Sequence, residues 1–347
     1  MRPLTLSRLL LQCVVLGAIL FCVMVLALKL GAVPVSLYGL AADLLQVLFH
    51  RTSALSSNYD MIVIDIRLPR ILLGIIVGAS LAVAGTAFQA LLRNPLADPY
   101  VLGASSGASL GAILTLIAQP YLALPLAISI LITPVGAFVG AAATIAAVYF
   151  LGRREGQLDS STLLLSGIVS GSFLSAIIMF LISTLAGRGD LHGMLFWLMG
   201  DLSGSLQPSL RWVLGAGFLI ASGVIYATSS DLNLMLNGEK EAMHLGVDVP
   251  RVRFVVYIAA SILTGLAVSV SGAIGYVGLL VPHVMRLIFG SDHRVLIPTA
   301  AFGGAIAVVL ADTLARTVVA PSELPVGAMT ALAGAPLFIY LLRRKFA

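Results

Sequence analysis

Long apolar runs separated by short polar stretches constrain this chain more than any other feature. A helix needs about 20 apolar residues to cross the hydrocarbon core of a membrane, and the chain offers ten such runs. Apolar residues make up 59% of the 347 positions and charged residues only 10%. A soluble globule of this size could not cover its surface with so few charges. The pattern therefore excludes a soluble enzyme, a disordered chain and a fibrous chain, and predicts an all-α polytopic membrane protein.

The ten runs predict about ten transmembrane helices. The first run follows Arg2 and Arg8. It is longer than the apolar core of about 7–15 residues in a signal peptide, so we interpret it as a retained helix. The eighth run is short and contains Pro282. The predicted spans cover approximately residues 9–30, 71–92, 100–117, 128–151, 163–185, 210–227, 254–271, 274–289, 295–319 and 326–342.

The basic residues predict the orientation of these spans. Ten spans place both termini on one side of the membrane. If that side is the cytoplasm, 13 of the 20 Lys and Arg residues lie on the cytoplasmic side and 7 on the opposite side. The positive-inside rule therefore favours cytoplasmic termini. Because the basic residues are scattered at the ends of apolar runs, they indicate topology rather than a surface for nucleic acid.

Two polar stretches carry local patterns of their own. Residues 32–66 form a predicted extracytoplasmic loop, in which apolar residues at helical spacing predict a short interfacial helix within 37–48. Residues 229–253 form a predicted cytoplasmic loop. There, turns at Gly238 and Gly246 flank a short helix that begins at about residue 239. Such a helix suits docking to a partner, and a plain solvated loop is the alternative.

The two halves of the chain show a sign of duplication. Residues 81–96 (LAVAGTAFQALLRNPL) align with residues 266–282 (LAVSVSGAIGYVGLLVP), five spans later. An offset of five spans gives the two copies opposite orientations in the membrane. The sequence therefore predicts an inverted internal repeat, which is typical of transporters.

Motifs for chemistry are missing from the sequence. It contains no GxxxxGK[ST] loop for a nucleotide phosphate, and no HExxH or CxxC. The five histidines are widely separated, so we predict no catalytic group, no metal site and no cofactor in this chain. An ion-coupled carrier needs several carboxylates within its spans, and this chain has hardly one, so the energy for uphill transport is expected to come from elsewhere.

Asp312 is the clear ionisable residue within a predicted span. Arg316 follows four residues later on the same helical face. The pair is either part of a pathway or docking site, or a local ion pair near the membrane boundary, and the sequence leaves both open. Gly103, Gly107 and Gly111 recur every fourth position, which favours close helix packing over a phosphate loop.

Six ordered motifs resemble a known family. They cover the chain from about Ile66 to Leu342 and are similar to permease subunits of binding-protein-dependent ABC importers for iron chelates, haem and cobalamin, the FecCD/BtuC type. The motifs are IRLPR, AVAGTAFQALLRNPLADPYVLGASSGASLGA, GAIGYVGLLVPHVMR, DHRVLIP, ADTLAR and ELPVGAMTALAGAPLFIYLL.

The resemblance implies a type II ABC importer permease, with residues 1–347 forming one transmembrane domain. It also implies a homodimer with the translocation path at its interface, in the cytoplasmic membrane of a prokaryote. The implied partners are two cytoplasmic ATPase chains, which bind ATP and Mg, an extracytoplasmic solute-binding protein and the membrane lipid. No nucleic acid is expected.

The resemblance also implies roles for individual residues. Three arginines would meet acidic residues of the binding protein, because the planar guanidinium pairs with carboxylates in a bidentate manner. These are Arg67, Arg70 and Arg316. Two loops would form the cytoplasmic gate, through Asn94, Leu96, Ser161 and Thr162. The 229–253 segment would couple to the ATPase through Gly238, Glu239, Ala242, Leu245 and Gly246.

The cargo stays open at this point. A ferric siderophore or haem is the leading expectation, and cobalamin is the alternative within the same class. An ion-coupled secondary transporter and an intramembrane enzyme are alternatives from other classes, and the enzyme would need paired polar groups inside spans. His283 is interpreted as structural rather than as a haem ligand, and the role of His192 is open.

Overall fold

The computed structural model describes residues 6–31, 61–154, 157–185, 191–204, 208–236 and 238–346. Helices dominate these residues. They are α1 Leu6–Lys29, α2 Leu68–Leu91, α3 Ala104–Ala118, α4 Leu126–Leu151, α5 Ser160–Leu185, α6 Leu191–Met199, α7 Pro208–Ala227, α8 Ser229–Met235, α9 Glu239–His244, α10 Val249–Ser271, α11 Val277–Phe289, α12 His293–Thr317 and α13 Val326–Phe346. The shorter elements are a π-helical segment Met61–Arg67, 3-10 turns Pro99–Leu102 and Gln119–Tyr121, and antiparallel strands β1 Arg153–Arg154 and β2 Gln157–Leu158.

The predicted spans coincide with helices. Within the described ranges, seven helical stretches are long and apolar enough to cross a membrane. Each of the ten predicted spans overlaps one of α1 to α5, α7 or α10 to α13. The eighth, α11, has only 13 residues and contains Pro282. The prediction of an all-α polytopic membrane protein is therefore confirmed, while the inverted repeat and the single-domain organisation stay predictions.

The predicted loop 32–66 is described only at its end. There, Met61–Arg67 is π-helical and runs directly into α2, so the helix begins earlier than the sequence predicted. The interfacial helix expected within 37–48 lies outside the described residues.

Helix α2 forms the centre of the bundle. Every residue from Val77 to Leu91 is buried, and α2 packs against α10, α11 and α12. Helices α4 and α5 instead leave most of their apolar side chains exposed. In a membrane, such apolar faces contact either the lipid tails or another protein chain.

Glycines allow the central helices to approach closely. A Cβ at Gly78 of α2 would collide with the carbonyl oxygen of Gly304 of α12, and the reverse also holds. Helices α3 and α4 meet in the same way, where Gly107 and Gly111 face the carbonyl oxygens of Gly140 and Gly136 respectively. For these two residues, the predicted role in helix packing is confirmed.

Replacing Gly78 with alanine should therefore destabilise the bundle. The added methyl group meets backbone of α12 rather than a movable side chain, so we expect a loss of about 1–3 kcal/mol, typical of overpacking. Thermal unfolding of the detergent-solubilised chain measures the loss. Gly223→Ala is the matched control, because a Cβ at this exposed position of α7 meets nothing. Equal melting temperatures for the two variants would contradict the close-packing argument.

Candidate functional site

A buried ion cluster joins the start of α2 to the end of α12. Arg70 Nε lies 2.8 Å from Asp312 Oδ1, and Arg316 Nε lies 3.0 Å from Asp312 Oδ2. Asp312 is only 2% exposed, so both arginines neutralise a carboxylate that water does not reach. The local ion pair between Asp312 and Arg316, one of the two interpretations that the sequence left open, is therefore present. The sequence did not reveal that Arg70 completes it from another helix.

A second carboxylate balances the cluster. Arg70 Nη1 lies 2.8 Å from Glu323 Oε2, whose side chain is 43% exposed. Arg316 Nη2 also donates to the carbonyl of Ala27, near the end of α1, at 3.4 Å. Two guanidinium groups thus face two carboxylates, and the cluster ties α1, α2 and α12 to the segment that follows α12.

The third predicted docking arginine also points inward. Arg67 Nη1 donates to the carbonyl oxygens of Leu28 at 2.6 Å and Lys29 at 3.3 Å, at the C-terminus of α1. A cation is favourable there, because the last carbonyls of a helix carry partial negative charge. Arg67 is 4% exposed, and Arg70 and Arg316 are 8% and 5% exposed. In the described chain these arginines bind their own protein, and their role in docking stays a prediction.

The first predicted gate lies in the loop between α2 and α3. Asn94 Oδ1 accepts the N–H of Leu96 at 2.9 Å, which folds the loop into a tight turn. Leu96 is 45% exposed at the tip of this turn. Asp98 then caps the next 3-10 turn by accepting the N–H of Tyr100 at 2.9 Å, and burial raises the pKa of Asp98 to about 6.

Gln89 holds this loop against α11, and sequence reasoning missed it. Its Nε2 donates to the carbonyl of Leu279 at 3.2 Å and more weakly to Gly278 at 3.4 Å. Its Oε1 accepts from Arg286 Nη2 at 3.0 Å. The signal was available, because Gln89 is a polar residue in an apolar run one turn before the gate loop.

The second predicted gate lies at the start of α5. Ser161 is exposed. Asp159 Oδ2 accepts both the N–H and the hydroxyl of Thr162 at 2.7 Å, which caps the helix. The structure therefore places both residues in the first turn of α5, with Ser161 toward solvent.

The predicted coupling segment has the expected local structure. Helix α9 lies between Gly238 and Gly246, which adopt positive φ angles of 140° and 89°. Ala242 is fully buried and anchors α9 to the core, whereas Met243 and Leu245 are 47% and 66% exposed. The segment thus offers a partner two apolar side chains, one on a short helix and one directly after it, between two glycine turns.

Glu239 connects the coupling segment with both predicted gates. Its Oε1 lies 3.3 Å from Arg93 Nη2, beside the first gate, and 3.3 Å from Arg253 Nη1, at the start of α10. Arg253 Nη2 in turn donates to Ser160 Oγ at 3.1 Å, next to the second gate. The carboxylate of Glu239 therefore contacts the first gate loop directly and the start of α5 through Arg253.

A second link joins the same segment to α12. Asn233 Nδ2 of α8 donates to Asp292 Oδ1 at 2.7 Å, and Asn233 Oδ1 accepts the N–H of His293 at 2.8 Å. Burial raises the pKa of Asp292, but hydrogen bonds from Arg294 and Asn233 outweigh it and leave that pKa lowered. The carboxylate therefore stays charged and keeps α8 attached to the start of α12.

Comparison with known proteins identifies the chain. The profile of the FecCD transport family matches residues 16–344. The chain belongs to this family. FecCD proteins are membrane permeases of ABC importers, which agrees with the resemblance and with the apolar helices described above.

Curated FecCD relatives span several cargoes. A cobalamin import system permease of Halobacterium salinarum is 43% identical over 82% of this chain and 74% of its own length. A hemin transport system permease of Yersinia pestis is 42% identical over 81% of this chain and 83% of its own. An Fe(3+)-citrate import system permease of Bacillus subtilis is 35% identical over 97% of this chain and 96% of its own.

A solved structure shares the FecCD architecture. A metal-chelate type ABC transporter in an inward-facing conformation superposes with a TM-score of 0.79 at 29% identity. The match covers 96% of this chain and 99% of that chain. The helical arrangement is therefore that of an ABC importer permease along nearly its whole length.

Removing the charge of Asp312 should strongly destabilise the chain. Asp312→Asn leaves Arg70 and Arg316 buried with too little countercharge, and breaking a buried pair in this way costs about 3–5 kcal/mol. Unfolding in detergent, followed by temperature or denaturant, measures the loss. Glu323→Gln is the control, because its carboxylate is partly exposed, and such pairs contribute about 0–1 kcal/mol. A larger loss of stability for Glu323→Gln than for Asp312→Asn would refute the assignment of Asp312 as the main countercharge of the two arginines.

Proposed function

We propose that this chain is the transmembrane permease subunit of an ATP-driven, binding-protein-dependent importer of an iron chelate, either a ferric siderophore or haem. The observation that carries the proposal is its similarity to permeases for hemin and for ferric citrate, the latter over 97% of this chain. Cobalamin is the second candidate cargo, because a cobalamin permease is 43% identical. The chain works as a homodimer with the translocation path between its copies, in the cytoplasmic membrane of a prokaryote with both termini in the cytoplasm.

The energy comes from two separate ATPase chains. This sequence has no P-loop, so it cannot cradle a nucleotide phosphate in that way. The exposed side chains of Met243 on α9 and of Leu245 directly after it support a contact with the ATPase. The ATPase chains carry the ATP and the Mg, and this permease needs no cofactor of its own.

Glu239 supplies the mechanical connection in this proposal. When ATP binding closes the ATPase dimer, α9 moves with it. Because Glu239 binds Arg93 and Arg253 together, this movement reaches the loop of Asn94 and Leu96, and through Ser160 the start of α5. Both constrictions therefore respond to one displacement, which fits alternating access with a gate on the ATPase side.

The solute-binding protein delivers the cargo on the opposite face. The docking prediction assigns this contact to Arg67, Arg70 and Arg316, and the exposed carboxylate of Glu323 lies beside Arg70. Arg67, Arg70 and Arg316 would need to rearrange, or to act through the surface that they hold in shape, before they meet acidic residues.

Reconstitution into liposomes tests the function. With its ATPase and its binding protein, the chain should accumulate a ferric siderophore or haem uphill, and vanadate should stop the uptake. The ligand that the binding protein retains then separates an iron chelate from cobalamin. Uptake that persists without the ATPase and collapses with the proton gradient would instead establish an ion-coupled carrier.

Neutralising Glu239 should uncouple ATP hydrolysis from transport. Glu239→Gln removes two ion pairs of partly exposed groups, so we expect a several-fold lower ratio of chelate transported to ATP hydrolysed, with little loss of stability. The ATPase should still co-purify, because the exposed contacts on α9 are unchanged. The measurement is paired rates of uptake and phosphate release in proteoliposomes.

Glu241→Gln is the matched control for Glu239→Gln. Glu241 is an exposed glutamate on the same helix, and it forms no ion pair at 4 Å or less among the described residues. Its transport ratio should stay at the wild-type value. The coupling role of Glu239 is refuted if both variants lower the ratio equally.

A further inference from the structure

A groove lined in part by aromatic residues lies between α4 and α10. Its cavity volume is about 270 Å³. Tyr149 closes one end by packing its ring 5.8 Å from Phe254 and 5.3 Å from Tyr257. The hydroxyl of Tyr257 donates to the carbonyl of Ile145 at 3.0 Å, which fixes the floor. The groove is therefore a stable feature of the helix pair.

The dimensions of the groove fit one acyl chain. Its lining on α10 extends from Phe254 to Gly265. At 1.5 Å per residue this is about 16 Å, roughly half of the ~30 Å hydrocarbon core. The groove thus spans a single leaflet. Its volume is below the roughly 300–1,000 Å³ of sites for drug-sized ligands, so it suits a hydrocarbon tail better than a bulky chelate.

A positive charge stands at the aromatic end of the groove. Arg251 is exposed and lies three residues before Phe254 and seven before Ile258, which places it on the groove face of α10. It also lies in the first turn of this helix, where the dipole favours an anion. The neighbouring carboxylate of Asp248 accepts the backbone N–H of Arg251 at 3.2 Å. Within the described part of the chain, the guanidinium of Arg251 forms no ion pair.

Aromatic residues at this depth agree with a membrane interface. Tyr149 contacts Phe150 and Phe254 near the end of α4 and the start of α10, and Phe254 follows Arg251 by three residues along α10. Tyr and Trp are enriched at the headgroup level, which suits Tyr149, and basic pockets between transmembrane helices bind anionic headgroups. The charge, the aromatic end and the apolar channel are therefore arranged in the order of a phospholipid: headgroup, interface, tail.

We propose that this groove binds one anionic phospholipid of the surrounding bilayer, with its phosphate on Arg251 and one acyl chain along α10. None of the residues that line the apolar part of this site belongs to the predicted gates or to α9, whereas Arg251 lies at the end of the predicted coupling segment 229–253. The bound lipid fills a groove that helix packing leaves open, and it ties α4 to α10 at the membrane surface.

Lipid binding to the purified full chain tests the proposal. Native mass spectrometry in detergent compares phosphatidylglycerol with phosphatidylcholine of the same acyl chains. Wild type should bind one phosphatidylglycerol in preference. Arg251→Gln should weaken that binding about five-fold, the factor for one basic residue at an anionic surface, and leave phosphatidylcholine unchanged. Arg343→Gln is the control, an exposed arginine outside the groove.

A second pair of variants tests the apolar part. Ala146 and Ala143 are exposed on α4, but only Ala146 lines this groove. Ala146→Trp should abolish retention of phosphatidylglycerol, and Ala143→Trp should not. Both sites are at the surface, so melting temperatures should stay close to wild type.

Three results would overturn the proposal. The first is equal binding of the two lipids to wild type. The second is an equal loss of phosphatidylglycerol binding in Arg251→Gln and Arg343→Gln. Both substitutions change only surface charge, so this comparison remains informative if a tryptophan variant fails to fold. The third is loss of a dimer, rather than of lipid, in Ala146→Trp, since a second copy would then cover the groove.

Discussion

A charge removed from water must be neutralised within the protein, and the contact between α2 and α12 depends on this requirement. Asp312 is surrounded by Arg70 and Arg316, and Glu323 supplies the fourth charge at the surface. The cluster connects segments that lie more than 240 positions apart. At the same helix pair, Gly78 and Gly304 bring the two backbones together. Electrostatic balance and close packing therefore act together on one interface.

The ion pairs of Glu239 are weaker and more exposed than those of the Asp312 cluster. Glu239 holds Arg93 and Arg253 at 3.3 Å, and its side chain is 29% exposed. Ion pairs of this kind contribute little to stability, so they can break and re-form at low cost. This is the property expected of a connection that must transmit movement, whereas the Asp312 cluster suits a part of the bundle that stays rigid.

Much of the fold could be predicted, because the membrane restricts a chain to helices with satisfied backbone groups. Each of the ten apolar runs overlaps a helix of the structure, and the two glycines mark the turns on either side of α9. Boundaries were less accurate where apolar character did not change, as at the π-helical start of α2. The gate and coupling residues came from the family resemblance, and their roles stay predictions. The role of Gln89 was missed, because its hydrogen bonds are made to carbonyl groups of another helix, α11.

The sequence by itself determined the class of the protein, its helices and its membership of the FecCD family. These properties follow from hydropathy and from ordered motifs, which are local along the chain. Only the tertiary structure decided the partners of the charges and the position of the cavities: Arg70 binds Asp312 and Glu323, and α4 and α10 enclose an apolar groove. The reason is physical, since ion pairs and cavities depend on distances of a few ångströms between helices, which no pattern within one helix contains.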